Sequence, residues 1–446
     1  GCSNTEVTEL QAELALVQAE LADLQTMYDN KVLELENESD TLELTETELA
    51  ELAEEIIGLE EELDYLESLI YDNIITVTMD DGYGNFTSST VGYNSDFDGN
   101  LLDLLDESFL VTTLDTEYGK MLIGLDDLNS MYGSYISFGK NGAPSMVGVE
   151  AAEFDDGDVF TFEISWWDTK AQMVDYAIHL FTLNQAANYV NDETLDYQVV
   201  IGLDMLGVLS EYVSDDSVLG QLDIDTTSTK GELFKASYIL DAIGVPNDAT
   251  LELLNTSVGT GTDTWEYWYS LQTFNAFDNT LSNVSALETL VLTDLDTTSP
   301  YDQGADAGSM KLITLSDYDS VEVNAYVAEF ALWISTDQLA TGGFQTRDTT
   351  WGETSYPGTE NSSTLAQIIL GFTANGIDPT GVDYTKNENN LVSRLVEFQN
   401  EDGSFDYLFE DETADLMFST PQAFLALVAY QEFLNSSNEA VNVFNR

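Results

Sequence analysis

Near its C-terminal end the chain reads Phe398-Gln399-Asn400-Glu401-Asp402-Gly403-Ser404-Phe405 and, after a loop, Ser419-Thr420-Pro421-Gln422-Ala423-Phe424-Leu425-Ala426-Leu427. The first run closes a helical pattern in an Asp-Gly turn. The second predicts a helix over 420–435. It is rich in small residues, which let helices crowd together. The order recurs upstream. Trp333 to Asp337-Gln338 precedes Gly342-Gly343-Phe344-Gln345 and then Ser362-Ser363-Thr364-Leu365-Ala366-Gln367-Ile368-Ile369-Leu370. Thr229-Lys230-Gly231-Glu232-Leu233-Phe234-Lys235-Ala236 echoes the second half. Such a period implies stacked helix pairs that share one core. Helices are expected over 171–190, 196–213, 231–244, 266–277, 281–293, 319–337, 361–375, 388–399 and 420–435.

An outer helix with a Gln-Asn-Asp-Gly-Ser-Phe-like end, followed by a small-residue inner helix, resembles the repeat of the prenyltransferase and terpenoid-cyclase α/α toroids. The resemblance implies inner helices crowded round a central funnel over residues 169–446. It is clearest in the last two copies.

Residues 5–71 carry a different pattern. Val7, Leu14, Leu21, Tyr28, Leu35, Leu42, Leu49, Ile56, Leu63 and Ile70 recur at every seventh position. That is a coiled-coil-like helical stalk. The intervening seam is polar in its middle, at Lys31, Glu38 and Thr45. A single long rod is preferred, and an antiparallel hairpin turning after Glu36-Asn37-Glu38-Ser39 is the alternative. Gly1-Cys2-Ser3-Asn4 looks like a cleaved bacterial lipoprotein signal, with Cys2 the only cysteine and the lipid attachment point. Residues 1–4 are therefore expected to anchor the protein on the outer face of a bacterial membrane.

Residues 72–168 switch to short strands. Ile74-Ile75-Thr76-Val77-Thr78, Tyr118 to Leu125, Tyr135 to Lys140 and Val159 to Ile164 read as strands, and Asn100 to Leu105 as a short helix. Asn141-Gly142 reads as a hairpin turn. This order resembles the DUF4430 family, a β-grasp-like domain also found at the C-terminal end of transcobalamin and intrinsic factor. Leu101-Leu102-Asp103-Leu104-Leu105, Val147-Gly148-Val149 and Asp156-Gly157-Asp158-Val159 carry it, with Tyr135 where the family often has Trp. The expected fold class is thus multidomain α and α+β: a stalk, a small β-grasp-like domain and an α/α toroid.

Charge and chemistry narrow the function. There are 83 acidic and 11 basic side chains, a net charge of −72. No basic surface exists for nucleic acid or for an anionic membrane. Self-repulsion on this scale calls for screening by salt or divalent cations. Prenyltransferase zinc needs Asp, Cys and His together, but Cys2 and His179 are the only Cys and His. Asp223-Ile224-Asp225-Thr226 lacks the last Asp of a cyclase Asp-x-Asp-Asp motif. No thioester Cys-Gly-Glu-Gln run occurs. A polysaccharide lyase would find one His and three Arg a poor supply. A glycoside hydrolase needs only two carboxylates and stays open.

The reading preferred is therefore a binding protein and not an enzyme. A toroid with a DUF4430-like domain is the pair that makes transcobalamin and intrinsic factor, here in reversed order. The resemblance implies cobalamin or another corrinoid captured between the two domains and passed to a membrane importer. A structural or adhesive surface protein is the second reading, and a carbohydrate-active enzyme the third. The ligand-binding residues expected are Phe138, Lys140 and Asn141 on the small domain. On the toroid they are Trp265, Tyr267, Trp268, Tyr301, Gln303, Trp351, Tyr356, Phe418 and Gln422. Flat rings beside amides suit a large planar ligand rimmed with amides, and would equally stack sugars. His179, in an apolar helical stretch, is either a cobalt ligand or a satisfied core residue. Calcium is a further expectation at the acidic loops Asp294-Leu295-Asp296 and Asp402 to Asp406.

Overall fold

The computed structural model describes residues 71–116, 119–258, 264–297, 299–351, 354–409 and 416–445. The lipoprotein and stalk expectations, Cys2 included, fall outside them. The chain is a multidomain protein of mixed α and β structure. Two compact units divide it: 71–129 with Ile136–Glu163, and Ser130–Tyr135 with 164–445. Among the described residues no helix is long and apolar enough to cross a membrane.

The smaller unit is built on a five-stranded sheet in the order Phe86–Tyr93, Asn73–Asp80, Val159–Trp166, Ser134–Lys140, Ala143–Pro144. Its strands are β1 (Asn73–Asp80), β2 (Phe86–Tyr93), β6 (Ser134–Lys140), β7 (Ala143–Pro144) and β8 (Val159–Trp166). β1 pairs antiparallel with β2 and parallel with β8. Strand alternation puts Ile75 and Val77 of β1 and Phe160 and Phe162 of β8 in the core, all fully buried. Helix α1 (Leu101–Asp106) buries Leu101, Leu102, Leu104 and Leu105, and a reciprocal cap between Asn100 and Asp103 starts it. A second sheet joins β3 (Val111–Thr116), β4 (Gly119–Leu125) and β5 (Leu128–Asn129). The β6–β7 turn is Asn141-Gly142, with φ of 53° and 78°. Both signs are what a tight two-residue hairpin requires.

The larger unit is a procession of helices. They are α2 (Thr169–Asn184), α3 (Tyr197–Met205), α4 (Asp215–Gln221), α5 (Lys230–Ala242), α6 (Asp248–Ser257) and α7 (Thr264–Phe277). Next come α8 (Val284–Thr297), α9 (Ala305–Thr314), α10 (Val321–Asp337), α11 (Ser362–Ala374), α12 (Leu391–Val396) and α13 (Leu416–Asn435). Single helical turns at Ala186–Tyr189 and Pro300–Gln303 interrupt the series. From α3 onward the odd-numbered helices touch in a closed cycle: α3, α5, α7, α9, α11, α13 and back to α3. Even-numbered helices lie against them: α6 on α5, α8 on α7, α12 on α11 and α2 on α13.

Three helices were not anticipated: α4, α6 and α9. Helix α9 has weak local propensity, since Gly308 and two Thr or Ser positions interrupt it. It forms because every residue of Ala305–Thr314 but Asp306 is buried in the cycle. A Cβ at Gly308 would run into the Phe330 ring, so only glycine lets α10 approach this closely. Two expected helices are shorter than their patterns. The 196–213 stretch stops at Met205 because Gly207 takes a φ of 75°. The 388–399 stretch narrows to α12 because Asn390 and Ser393 cap each other at its start. In contrast α13 begins one turn before Pro421, which therefore lies inside the helix.

Candidate functional site

Each helix of the cycle begins at the same mouth. A cavity of about 500 Å³ opens there and adjoins a chamber of about 220 Å³; Trp265, Tyr269, Phe418 and Gln422 line both. All six helices contribute their first turns. Tyr197 and Gln198 come from α3, Lys230 from α5 and Trp265 and Glu266 from α7. Asp306 comes from α9, Ser363 from α11 and Phe418 from α13.

Residues four apart share one face of a helix. That rule builds a second tier one turn further in. Lys230 is followed by Phe234, Trp265 by Tyr269, Asp306 by Met310, Ser363 by Gln367, and Phe418 by Gln422. Helix starts here are held by their own caps. The Asp196 carboxylate accepts from the N–H groups of Gln198 at 2.9 Å and Val199 at 3.2 Å. Thr229 and Glu232 form a capping box on α5, and Asn361 caps α11. No side chain caps α9, which starts at Gly304.

The outer cavity is of mixed charge. Lys230 reaches Glu266 at 3.1 Å, joining α5 to α7, and Lys235 stands 5.6 Å from the centre of the Tyr197 ring. Burial raises the pKa of Asp196, against the two N–H bonds that favour its charged form. The inner chamber holds Asp306 and, among its described lining residues, no Lys or Arg. Asp306 is open to solvent through the chamber but hemmed in by protein. That environment raises its pKa, and the Thr364 hydroxyl donating to it works the other way. Three chamber oxygens are buried with no hydrogen-bond partner: Ser363 Oγ, Gln367 Oε1 and Gln422 Oε1. Ser363 as a whole is 6% exposed.

The structure thus brings Trp265, Phe418 and Gln422 of the expected residues to the mouth. Trp268 points elsewhere: it is 3% exposed, with Lys311 5.2 Å from its ring centre. Trp268 still meets the Trp265 ring edge-on with centres 5.1 Å apart. Helical phase separates Tyr267, which lies nearly opposite Trp265, while Tyr269 lies near it. Tyr267 packs against the hydrophobic core and does not line the cavity. Tyr301 is half-exposed, stacked under the Arg347 guanidinium at 2.9 Å and edge-on to Trp333. The side chains of Gln303, Trp351 and Tyr356 fall outside the described residues; Trp351 and Tyr356 end the two strands of a small hairpin, Thr349–Trp351 with Thr354–Tyr356.

In the smaller unit, Phe138 stacks on Phe162 with ring centres 5.6 Å apart. Lys140 Nζ meets Asp158 at 2.6 Å and the Glu153 carbonyl at 2.9 Å. Asn141 donates to Asp158 at 2.7 Å and accepts from the Val159 N–H at 2.8 Å. These polar groups brace the hairpin itself.

His179 sits partly buried on α2, where its carbonyl accepts from the Thr182 hydroxyl. Among the described residues no cluster of three His, Cys, Asp or Glu side chains could hold a metal. Asp294 pairs with Lys311. Asp402 accepts from Ser404, and Asp406 from Asn400. Sequence reasoning missed Tyr269, Asp306, Ser363, Gln367 and Tyr407 of the chamber. The four-residue spacing in the quoted repeats already held Ser363 with Gln367. Asp306 was out of reach because its helix was not recognised.

No family model matches this chain, and no curated protein does. One solved structure that aligns comes from Ruminococcus gnavus ATCC 29149 and is provisionally described as a metal binding protein. It is 21% identical, covers 21% of this chain and 98% of its own, and has a TM-score of 0.20. A likeness that slight carries no argument about this chain.

Proposed function

We propose that this protein is a binding protein built on an α/α toroid and a β-grasp-like domain, and that the toroid mouth captures a corrinoid. The observation that carries the reading is the convergence of six helix starts on one aromatic-walled cavity with buried, unpaired oxygens. A corrin offers a broad flat ring edged with amides. Rings such as Trp265 and Phe418 would cover its face, and the unpaired oxygens would meet its amide N–H groups. The test is a titration of the full chain with cobalamin and with cobinamide, followed by corrin absorption and by calorimetry. Binding at micromolar concentration or tighter is expected, and Trp265→Ala should weaken it by about 2 kcal/mol if that ring is an anchor. No heat and no spectral change with either corrinoid would sink the corrinoid reading and favour a structural or adhesive surface role.

A second reading has its own observation. Carboxylates at Asp306 and Glu266 stand among the rings of Trp265 and Tyr269, a composition that also suits a glycan. Oligosaccharide binding with slow turnover would turn the argument towards a carbohydrate-active enzyme.

The location proposed is a saline or calcium-containing exterior, because 83 acidic residues face so few basic ones. The melting temperature should climb steeply with added salt or millimolar calcium. A protein indifferent to both would not depend on external screening.

A further inference from the structure

We infer that the inner chamber is a carboxamide-reading subsite, in which two oxygens from the set Asp306, Ser363, Gln367 and Gln422 take the two N–H hydrogens of a neutral primary amide beside a flat ring. The inference deepens the reading of the toroid mouth as a ligand site and rests on it. Its starting point is the set of buried oxygens without partners, Ser363 Oγ, Gln367 Oε1 and Gln422 Oε1. A buried acceptor left unpaired costs about 1–3 kcal/mol, so three in one chamber favour an occupant that brings hydrogens, which a ligand supplies by displacing water. Charge then removes one class. Asp306 stands in the chamber and no Lys or Arg lines it, so a carboxylate or phosphate would meet repulsion that only the helix N-termini at the mouth offset.

Shape and donor pattern choose among the rest. Glutamine carries both a carbonyl and an NH₂ group, and serine both donates and accepts. A carboxamide brings both donors and an acceptor to such groups, whereas an ammonium ion only donates. The aromatic side chains Trp265, Tyr269 and Phe418 also line the chamber. They favour a delocalised, weakly hydrated group over a strongly hydrated cation. Discrimination of an amide from its acid is large when a site's own buried polar groups are left unpaired by the wrong ligand.

The experiment uses the full chain with nicotinamide and nicotinate as probes, a flat ring bearing the amide or the acid. Tryptophan fluorescence and saturation-transfer NMR at pH 8 would report binding. Nicotinamide should be preferred by about tenfold or more, the equivalent of about 1.4 kcal/mol. Ser363→Ala should weaken nicotinamide several-fold, and Asp306→Asn should admit nicotinate and narrow the preference. Equal binding of the two probes, or no binding of either, overturns the inference even if a variant fails to fold. So does a preference untouched in both variants. Selectivity for nicotinamide in a chain that binds no corrinoid would leave the subsite standing and remove the corrinoid reading. Corrinoid binding without amide selectivity would do the reverse.

Discussion

Asp294→Ala should destabilise the larger unit by about 3–5 kcal/mol, the usual cost of stranding one member of a buried ion pair. Lys311 lies on α9 with its side chain fully buried, and its ammonium pairs with Asp294 of α8. Ring centres of Trp268 and Tyr326 stand 5.2 and 5.4 Å from it. Burial pulls the lysine pKa down and Asp294 pulls it back up. Without Asp294 only the rings remain, and a desolvated charge would sit in the helix cycle. Lys311→Met should cost far less, since a well-packed apolar chain needs no counter-charge. The sign with pH follows. A lysine whose folded pKa is depressed is shed of its proton more readily in the folded state, so stability is regained as pH rises through that lowered value. The Asp294→Ala deficit should therefore shrink at alkaline pH. Urea midpoints for the two variants between pH 7 and 10 would check this. Equal losses, or a deficit that ignores pH, would show that the pair does not hold α8 and α9 together.

Phe424→Ala should cost about 3–5 kcal/mol, the range for emptying a buried aromatic site. Phe424 is 1% exposed on α13, and its ring stacks on Phe181 of α2 with centres 4.0 Å apart. Its other side presses on α3 at Gly202, where an added Cβ would run into the ring. One side chain thus joins the last helix of the cycle to the first two helices of the unit. Loss of the ring removes buried area and leaves a cavity between segments more than 200 positions apart in sequence, where relaxation is limited. Gly202→Ala should be destabilising as well, by overpacking. Calorimetric melting would read both. If Phe424→Ala melted within a degree or two of the parent, ring closure would not depend on this contact.

These two sites mark how far the sequence could be read. Phe424 stood in a run rich in small residues, which let helices crowd together, and the repeat placed a partner helix before it. Lys311 belonged to a stretch not recognised as a helix at all. Gly308 and Lys311 argue locally against a buried helix, and packing against Phe330, Trp268 and Asp294 overrides that argument. The same split runs through the site. Phe418 and Gln422 were legible because the repeat was visible around them, and Trp265 because aromatic residues stood just ahead of an expected helix. Tyr267 and Trp268 were read alongside Trp265 as one aromatic cluster; Trp268 does meet the Trp265 ring edge-on but is itself buried, and Tyr267 lies nearly opposite on the helix.

By itself, the sequence determined the mixed helix-and-strand composition, the Asn141-Gly142 hairpin, the short helix and the strands β1, β4, β6 and β8 of the smaller unit, though not β2 or β3, and the apolar character of α11 and α13. Those features depend on local periodicity and on turn chemistry, which neighbours in the chain dictate. Only the tertiary structure decided that six helices close a cycle, that Asp306 joins Ser363, Gln367 and Gln422 in one chamber, and that Lys311 is buried with Asp294. Each of those depends on contacts between residues far apart in the chain, and one sequence carries no local trace of which distant side chain will arrive.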